Sequence, residues 1–308
     1  KNKSQDLLFE HVPVPNSGGF ANAEVTMNAA SMENSGFEFS VTYRNNDHPL
    51  KHQISANLST LKNKVTSLGF GTESYLTGDY MTIVGQEVGQ FYGYVYEGIA
   101  RTQADLDNHA KQDGATVGDC LYKDVNGDGV INTDDRVILG GGLPKINFGL
   151  SAHLEYKQFD LSISTYGALD YHVADHLYNM LHSSYGVGNK DVDLLDANRW
   201  DGTTYISNVP KTYYASPSSM LWNDLFSERK IQNAAYWKIA NVELGYNVPD
   251  KLFGGYVSGV RVYVSAQNLF TFTGYKGYNV DYAGGTFTPG YNYCSYPNAR
   301  SFMAGLLF

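Results

Sequence analysis

Apolar and polar residues alternate strictly along several short stretches of this chain. Ala240, Val242, Leu244 and Tyr246 alternate with Asn241, Glu243, Gly245 and Asn247. Val260, Val262, Val264 and Ala266 alternate with Arg261, Tyr263, Ser265 and Gln267. Period two gives each set its own face of a sheet, one apolar and one polar. The pattern recurs over 37–44 and 53–59, joined by an Asn/Asp/Pro turn, and over 147–155 and 159–164, joined near Lys157-Gln158; both read as hairpins. It closes the chain, with Phe302, Ala304, Leu306 and Phe308 on one face. Residues 1–12 read as a partial strand, and the Pro- and Gly-punctuated 12–28 as a loop.

Between these strands short and long connections take turns. The turns at 45–51, 157–158 and 248–257 fall at one end of the strands. The long connections 65–145, 170–234 and 273–297 fall at the other. Connections above about 12–15 residues are uncommon in compact domains. Regular short–long alternation is the habit of a transmembrane barrel, with an apolar face to lipid and a polar face to a wet lumen. A β-sandwich would instead bury the apolar face against a second sheet. The pattern therefore predicts an all-β chain, an antiparallel transmembrane β-barrel wall of seven or eight strands belonging to a larger barrel. The alternative is a secreted, calcium-dependent β-sandwich for binding or adhesion.

Composition changes this picture little. The 308 residues include 25 Tyr and 32 Gly, with only 17% charged residues, which suits strands with aromatic girdles. The net charge of −9 argues against nucleic acid, whose phosphates call for a basic surface. No apolar run approaches the ~18 residues of a membrane helix, which does not bear on strands of about 9–11 residues. The opening KNKSQDLLFE reads as the inside of a strand, as if the chain were a piece of something longer.

The sharpest local motif lies at 124–135, DVNGDGVINTDD. Ca²⁺ takes about six to eight hard oxygens. Asp124, Asn126 and Asp128 occupy loop positions one, three and five. Gly129 supplies the sharp turn, Val130 its carbonyl, Asn132 position nine, and Asp135 position twelve where a longer Glu is usual. The expectation is a Ca²⁺-stiffened loop without catalysis. Thr102 with Asp105 three residues on predicts a capped short helix over 102–111. His172 and His176 share a helical spacing but lack the Glu of the zinc-protease pattern, so they read as loop histidines. Glu155 and Asp160 flank a turn, and a glycosidase acting on polysaccharide would need such a carboxylate pair; charges lining a lumen are the ordinary reading. Cys120 and Cys294 are far apart in sequence, and only the fold can bring them together. Tyr178, Tyr185, Trp200, Tyr205, Tyr213, Tyr214 and Trp222 punctuate the second long connection, and aromatic faces of this kind stack on sugars or peptide side chains.

Many segments, in order, resemble the C-terminal part of SusC/RagA-type TonB-dependent transporters of Bacteroidetes outer membranes. They include VPVPNSGGF, NAASMENSGFEFSVTYR, VGQFYGYVYEGI, KDVNGDGVINTDDRVILG, PKINFGLSAHLEYKQFDLSIS, AYWKIANVELGYNVP, VRVYVSAQNLFTFTGYKGYN and YPNARSFMAGLLF. Asn198-Arg199-Trp200 also matches a phrase of that family. The resemblance spans nearly the whole chain. It implies a barrel of about 22 strands, import of glycan or oligopeptide nutrients, and no enzymatic role. It implies a SusD-like surface lipoprotein as lid, and energy from the TonB complex through an N-terminal remainder carrying the plug and first barrel strands. That remainder, plug domain included, is expected to be absent from these 308 residues. Residues 65–145, with the calcium-like loop, and 170–234 are then expected on the extracellular side.

Overall fold

The computed structural model describes residues 1–13, 24–69, 71–183, 189–196, 199, 201, 203–212, 222–249, 251, 259–281 and 284–308. Ten strands build a wall: β1 (Asn2–Pro13), β2 (Glu24–Ser35), β3 (Glu38–Asn45), β4 (Leu50–Thr60), β5 (Lys62–Ser67), β6 (Ile146–Tyr156), β7 (Phe159–Leu169), β8 (Tyr236–Asn247), β9 (Arg261–Thr273) and β10 (Ser301–Leu307). Seven form one antiparallel sheet in the order β10-β9-β8-β7-β6-β4-β3. The other three pair as β1-β2-β5. Because β2 runs into β3 and β4 into β5, these four are one long bent hairpin. The bend needs Gly36, whose added Cβ would lie 1.8 Å from the Thr60 carbonyl oxygen. Thr60 Oγ1 accepts the Phe37 N–H there.

Residues 24–28, read from sequence as loop, are strand. The Pro and Gly signals end earlier than their punctuation suggested, and β2 hides its strand character. Its partners β1 and β5 meet it through register shifts that break the alternation on which strand reading depends. A second correction concerns Ala240. It is the unmatched residue where Ser164 pairs with Asn241 but Thr165 with Ile239. A β-bulge flips the phase there, so Ile239 and Trp237, not Ala240, continue the apolar face of Val242 and Leu244.

Register then stacks like on like across the sheet. Tyr43, Ile54, Ala152, Ile163, Val242, Ala266 and Phe302 form one row. Thr42, Ser55, Ser151, Ser164, Asn241, Gln267 and Ser301 form the adjoining row on the opposite face. The apolar face is uncovered: Phe39, Leu58, Leu150, Leu244, Val264 (53% exposed) and Phe302 (71%) all stand open. Aromatic residues bound it at both ends. Phe39, Phe148, Trp237 and Phe272 line the end near the long connections; Tyr156, Phe159 and Tyr246 line the turn end. From Phe159 to Gly167 the strand runs nine residues between the two aromatic borders, within the about 9–11 that a tilted transmembrane strand needs.

The buried side chains gather beyond the wall, among the long connections. Residues 68–145 carry a four-stranded sheet, in the order 137–141, 90–93, 80–83, 74–77, and the pair 96–99 with 120–122. The expected strand over 91–100 is thus two short ones. Helix α1 (Gln103–Asp107) starts at a complete Thr102–Asp105 capping box. Tyr94, Cys120, Tyr122, Ile131 and Trp222 form one core, and Tyr80, Phe91 and Ala174 another, packed by Phe226 and Ile231. Both cores join the first long connection to the second. No helix of the described residues is long and apolar enough to cross a membrane.

Candidate functional site

The 124–135 loop folds around its own carboxylates. Asp124 accepts the N–H groups of Gly127 (2.7 Å) and Gly129 (2.8 Å). Asn126 Oδ1 accepts from Asp128 N, and Asp128 Oδ1 from Val130 N. The Asn126 amide also donates to Asp128 Oδ2 at 3.1 Å, so these two side chains converge. Asp135 is fully buried. Its Oδ1 accepts Val125 N–H (2.9 Å) and its Oδ2 accepts Asn132 N–H (2.8 Å). It closes the loop from within, while Asn132 caps the next turn through Asp134 N. Asp124, Asn126, Asp128, the Val130 carbonyl and Asp135 make an all-oxygen set; the Asp124 and Asp128 oxygens and Asp135 Oδ2 each accept one hydrogen bond and keep a further lone pair, while Asp135 Oδ1 accepts from both Val125 and Asn126 N–H. That chemistry fits Ca²⁺. No cluster of three or more His, Cys, Asp or Glu side chains with metal-holding geometry occurs among the described residues.

The aromatic candidates divide. Tyr185, Trp200, Tyr213 and Tyr214 lie outside the described residues. Tyr205 and Trp222 are buried, and here the ligand-stacking expectation is corrected. Tyr205 is fully enclosed, with its hydroxyl donating to the Val209 carbonyl at 2.6 Å. Trp222 donates its indole N–H to the Asp113 carbonyl and packs near Tyr122. Both rings join the long connections to each other, which leaves no face for a ligand. Tyr178 alone among those described is half open. It stacks on His182 (ring centroids 3.9 Å apart), and the Lys276 ammonium lies 5.5 Å from its ring centre.

Polar residues that the sequence did not flag hold the connections together. Asp175 caps α2 (His176–Leu181) through Tyr178 N. Its other oxygen takes the Tyr275 hydroxyl and the Asn292 amide. Burial, and next the bond to Asp175, push the Tyr275 phenol far above its usual range. Asp119, also fully buried, binds Lys211 Nζ (2.9 Å) and the Asn223 amide (2.9 Å), whose oxygen accepts Cys120 N–H. The only sequence signal for these groups was an Asp or Asn inside an aromatic-rich connection.

On the polar face of the wall, Asp160 binds Arg261 and Asn247, and Arg261 also reaches Glu243. Glu155, directly opposite Asp160, pairs with Lys51 and His153. Both carboxylates are committed to cations, not poised as an acid and a base. His172 is in a short strand and His176 in α2, stacked on Tyr293, so they do not share a helical face. Cys120 is buried and Cys294 exposed, both as free thiols.

An antiparallel wall with an open apolar band, aromatic borders and all long connections at one end defines the wall of an outer-membrane β-barrel. Comparison with known proteins agrees. TonB-dependent receptor P3 of Formosa agariphila is 30% identical over 99% of this chain and 31% of its own length. TonB-dependent receptor SusC of Bacteroides thetaiotaomicron is 26% identical over 99% of the chain and 29% of its own. The solved RagAB peptide transporter superposes with a TM-score of 0.78 at 25% identity, covering 99% of this chain and 32% of that one. No family model matches the chain. The chain belongs to the SusC/RagA family of TonB-dependent receptors, as their C-terminal part, and spans about a third of the length of the relatives it matches.

Proposed function

We propose that this chain forms barrel wall and outer loops of an importer that brings glycan or oligopeptide nutrients across the bacterial outer membrane. The observation that carries this reading is the uncovered apolar face. Open apolar side chains such as Phe39, Leu244, Val264 and Phe302, repeated across the whole sheet, are tolerable only against lipid. The β-sandwich alternative requires that face to be buried, and an enzyme acting on polysaccharide gains no support from carboxylates held in ion pairs. The named relatives are receptors and transporters, and RagAB is a peptide importer.

In this reading the long connections, including 65–145 and 170–234, stand on the extracellular side and bear a SusD-like lipoprotein as lid. Substrate binds between lid and barrel, and the TonB complex supplies energy through a plug in the N-terminal remainder. Asp124, Asn126, Asp128, the Val130 carbonyl, Asn132 and Asp135 would hold Ca²⁺ and stiffen the first long connection.

Fractionation tests the reading. Outer membranes are extracted with detergent and resolved by native gel and mass spectrometry. Co-migration of this polypeptide with plug-bearing sequence and a lipoprotein is expected. A soluble monomer in periplasm or medium would overturn it.

A further inference from the structure

Alternation carries on for one residue past the ends of β8 and β9. Trp237 and Phe272, stacked at 5.4 Å on the apolar face, are followed on that same side by Ala235 and Gly274. The opposite side at this level is closed by a core of Ala168, Tyr171, Val173, Ala234 and Tyr275. Ala235 and Gly274 floor a cleft whose walls are Tyr178, Arg229, Gln232 and Lys276. The cleft thus opens outward, immediately above the aromatic border of the apolar band. No carboxylate lines it, in a chain of net charge −9.

Lys276 and Arg229 are both exposed, and neither forms an ion pair with a carboxylate among the described residues. Among the described residues the Lys276 ammonium lies over the Tyr178 ring, and the Arg229 guanidinium meets the Cys120 sulfur and the Tyr96 ring. The Gln232 side-chain amide nitrogen is buried without an acceptor, while its oxygen takes Lys276 N–H. Two cations and a spare amide donor beside an aromatic face, at the height where a bilayer meets water, complement a phosphate-bearing lipid headgroup.

We propose that this cleft binds the phosphorylated headgroup of an outer-leaflet lipid, with Lys276 and Arg229 on the phosphate and the acyl chains lying over Trp237 and Phe272. The proposal rests on the membrane reading above. An imported acidic oligomer would offer similar anionic chemistry but would have to reach the lumen, on the other side of the wall.

The test uses the full receptor complex purified in mild detergent, with bound lipid read by native mass spectrometry. A phosphorylated lipid is expected on the wild type. Lys276→Gln should weaken it about fivefold and Lys276→Gln with Arg229→Gln about thirtyfold, the factors expected of one and two cations beside anionic lipid. Because Arg229 also touches Cys120, the single Lys276→Gln variant stands even where the double variant assembles poorly. Equal lipid on wild type and Lys276→Gln overturns the proposal. So does displacement of the bound lipid by a soluble sulfated or uronate oligosaccharide, which would make the cleft a substrate subsite. Inorganic phosphate binding as tightly as lipid, with no lipid retained, overturns it too. Absence of the polypeptide from outer membranes would instead defeat the membrane reading itself.

Discussion

Lys238, on the polar face of β8, reaches Asp281 in the connection after β9 with 2.5 Å between ammonium and carboxylate. Asp281 also accepts from Tyr166 and Asn298. One carboxylate therefore draws the connection inward across the wall. The Lys238 side chain is 3% exposed and that of Asp281 23%. Loss of the acid strands a buried charge, whereas loss of the lysine leaves an acid that water can reach. Asp281→Ala should cost about 3 kcal/mol and Lys238→Met clearly less. Thermal unfolding of the purified receptor, with protease cleavage within 274–300, reads both; equal effects would refute the asymmetry.

The two faces of the wall should respond oppositely to charge. Val264→Arg on the apolar face, one row from the central Val242 row and one from the turn-end border, should cost about 1–3 kcal/mol. Ser151→Arg on the polar face should be close to neutral. Folded yield on semi-native gels compares them, and a tolerated Val264→Arg would mean that this face does not meet lipid.

In the 124–135 loop, Asp128 is exposed while Asp135 is enclosed and bonded to the loop backbone at both ends. Asp128→Asn should weaken Ca²⁺ at least about tenfold without loosening the metal-free loop. Asp135→Ala should loosen it with or without metal, since it orphans buried N–H groups. Terbium luminescence and hydrogen exchange separate the two effects. A loop that takes up no lanthanide at millimolar concentration would leave it a turn stapled by its own carboxylates.

Burial raises the Cys120 thiol to about 11, with Arg229 offsetting part of the shift. At pH 8 it is protonated as well as enclosed, and only thiolate reacts. A maleimide should label exposed Cys294 in the native receptor, read by peptide mapping, and should leave Cys120 unlabelled in a Cys294→Ser variant. Stoichiometric labelling at Cys120 in that variant would contradict the packing around Tyr122.

The N–H groups of Thr102 and Arg101 hold the Asp105 carboxyl below its usual range. A depressed acid contributes fully above its unfolded value, and that contribution fades as pH falls through the folded one. Amide protection across 103–107, taken relative to the intrinsic exchange rate at each pH, should therefore fall in acid, and Asp105→Asn should remove that pH dependence. Thr102→Ala should weaken the cap at all pH values by about 1 kcal/mol.

Sequence legibility followed the length over which a pattern repeats. Phe37 to Leu58 showed its alternation because each wall residue meets either lipid or water, and a face repeated over eight residues is unmistakable. Ala240 misled because a bulge is one residue long and leaves no compositional trace. Trp222 and Tyr205 misled for a different reason: an aromatic in a polar connection looks the same whether it caps a core or faces a ligand. Only the partners, Asp113 and Val209, distinguish the two.

The sequence by itself therefore determined the all-β class, the two faces of the wall, the end at which long connections emerge and the oxygen-rich loop. All of these are set by residues close along the chain. Tertiary structure alone decided that the apolar face stays uncovered, that Asp175, Asp119 and Asp281 bind the connections together, and that Tyr178, Arg229 and Lys276 meet above Trp237. These contacts join residues some forty to a hundred or more positions apart, and no local period encodes which distant partner a buried polar group will find.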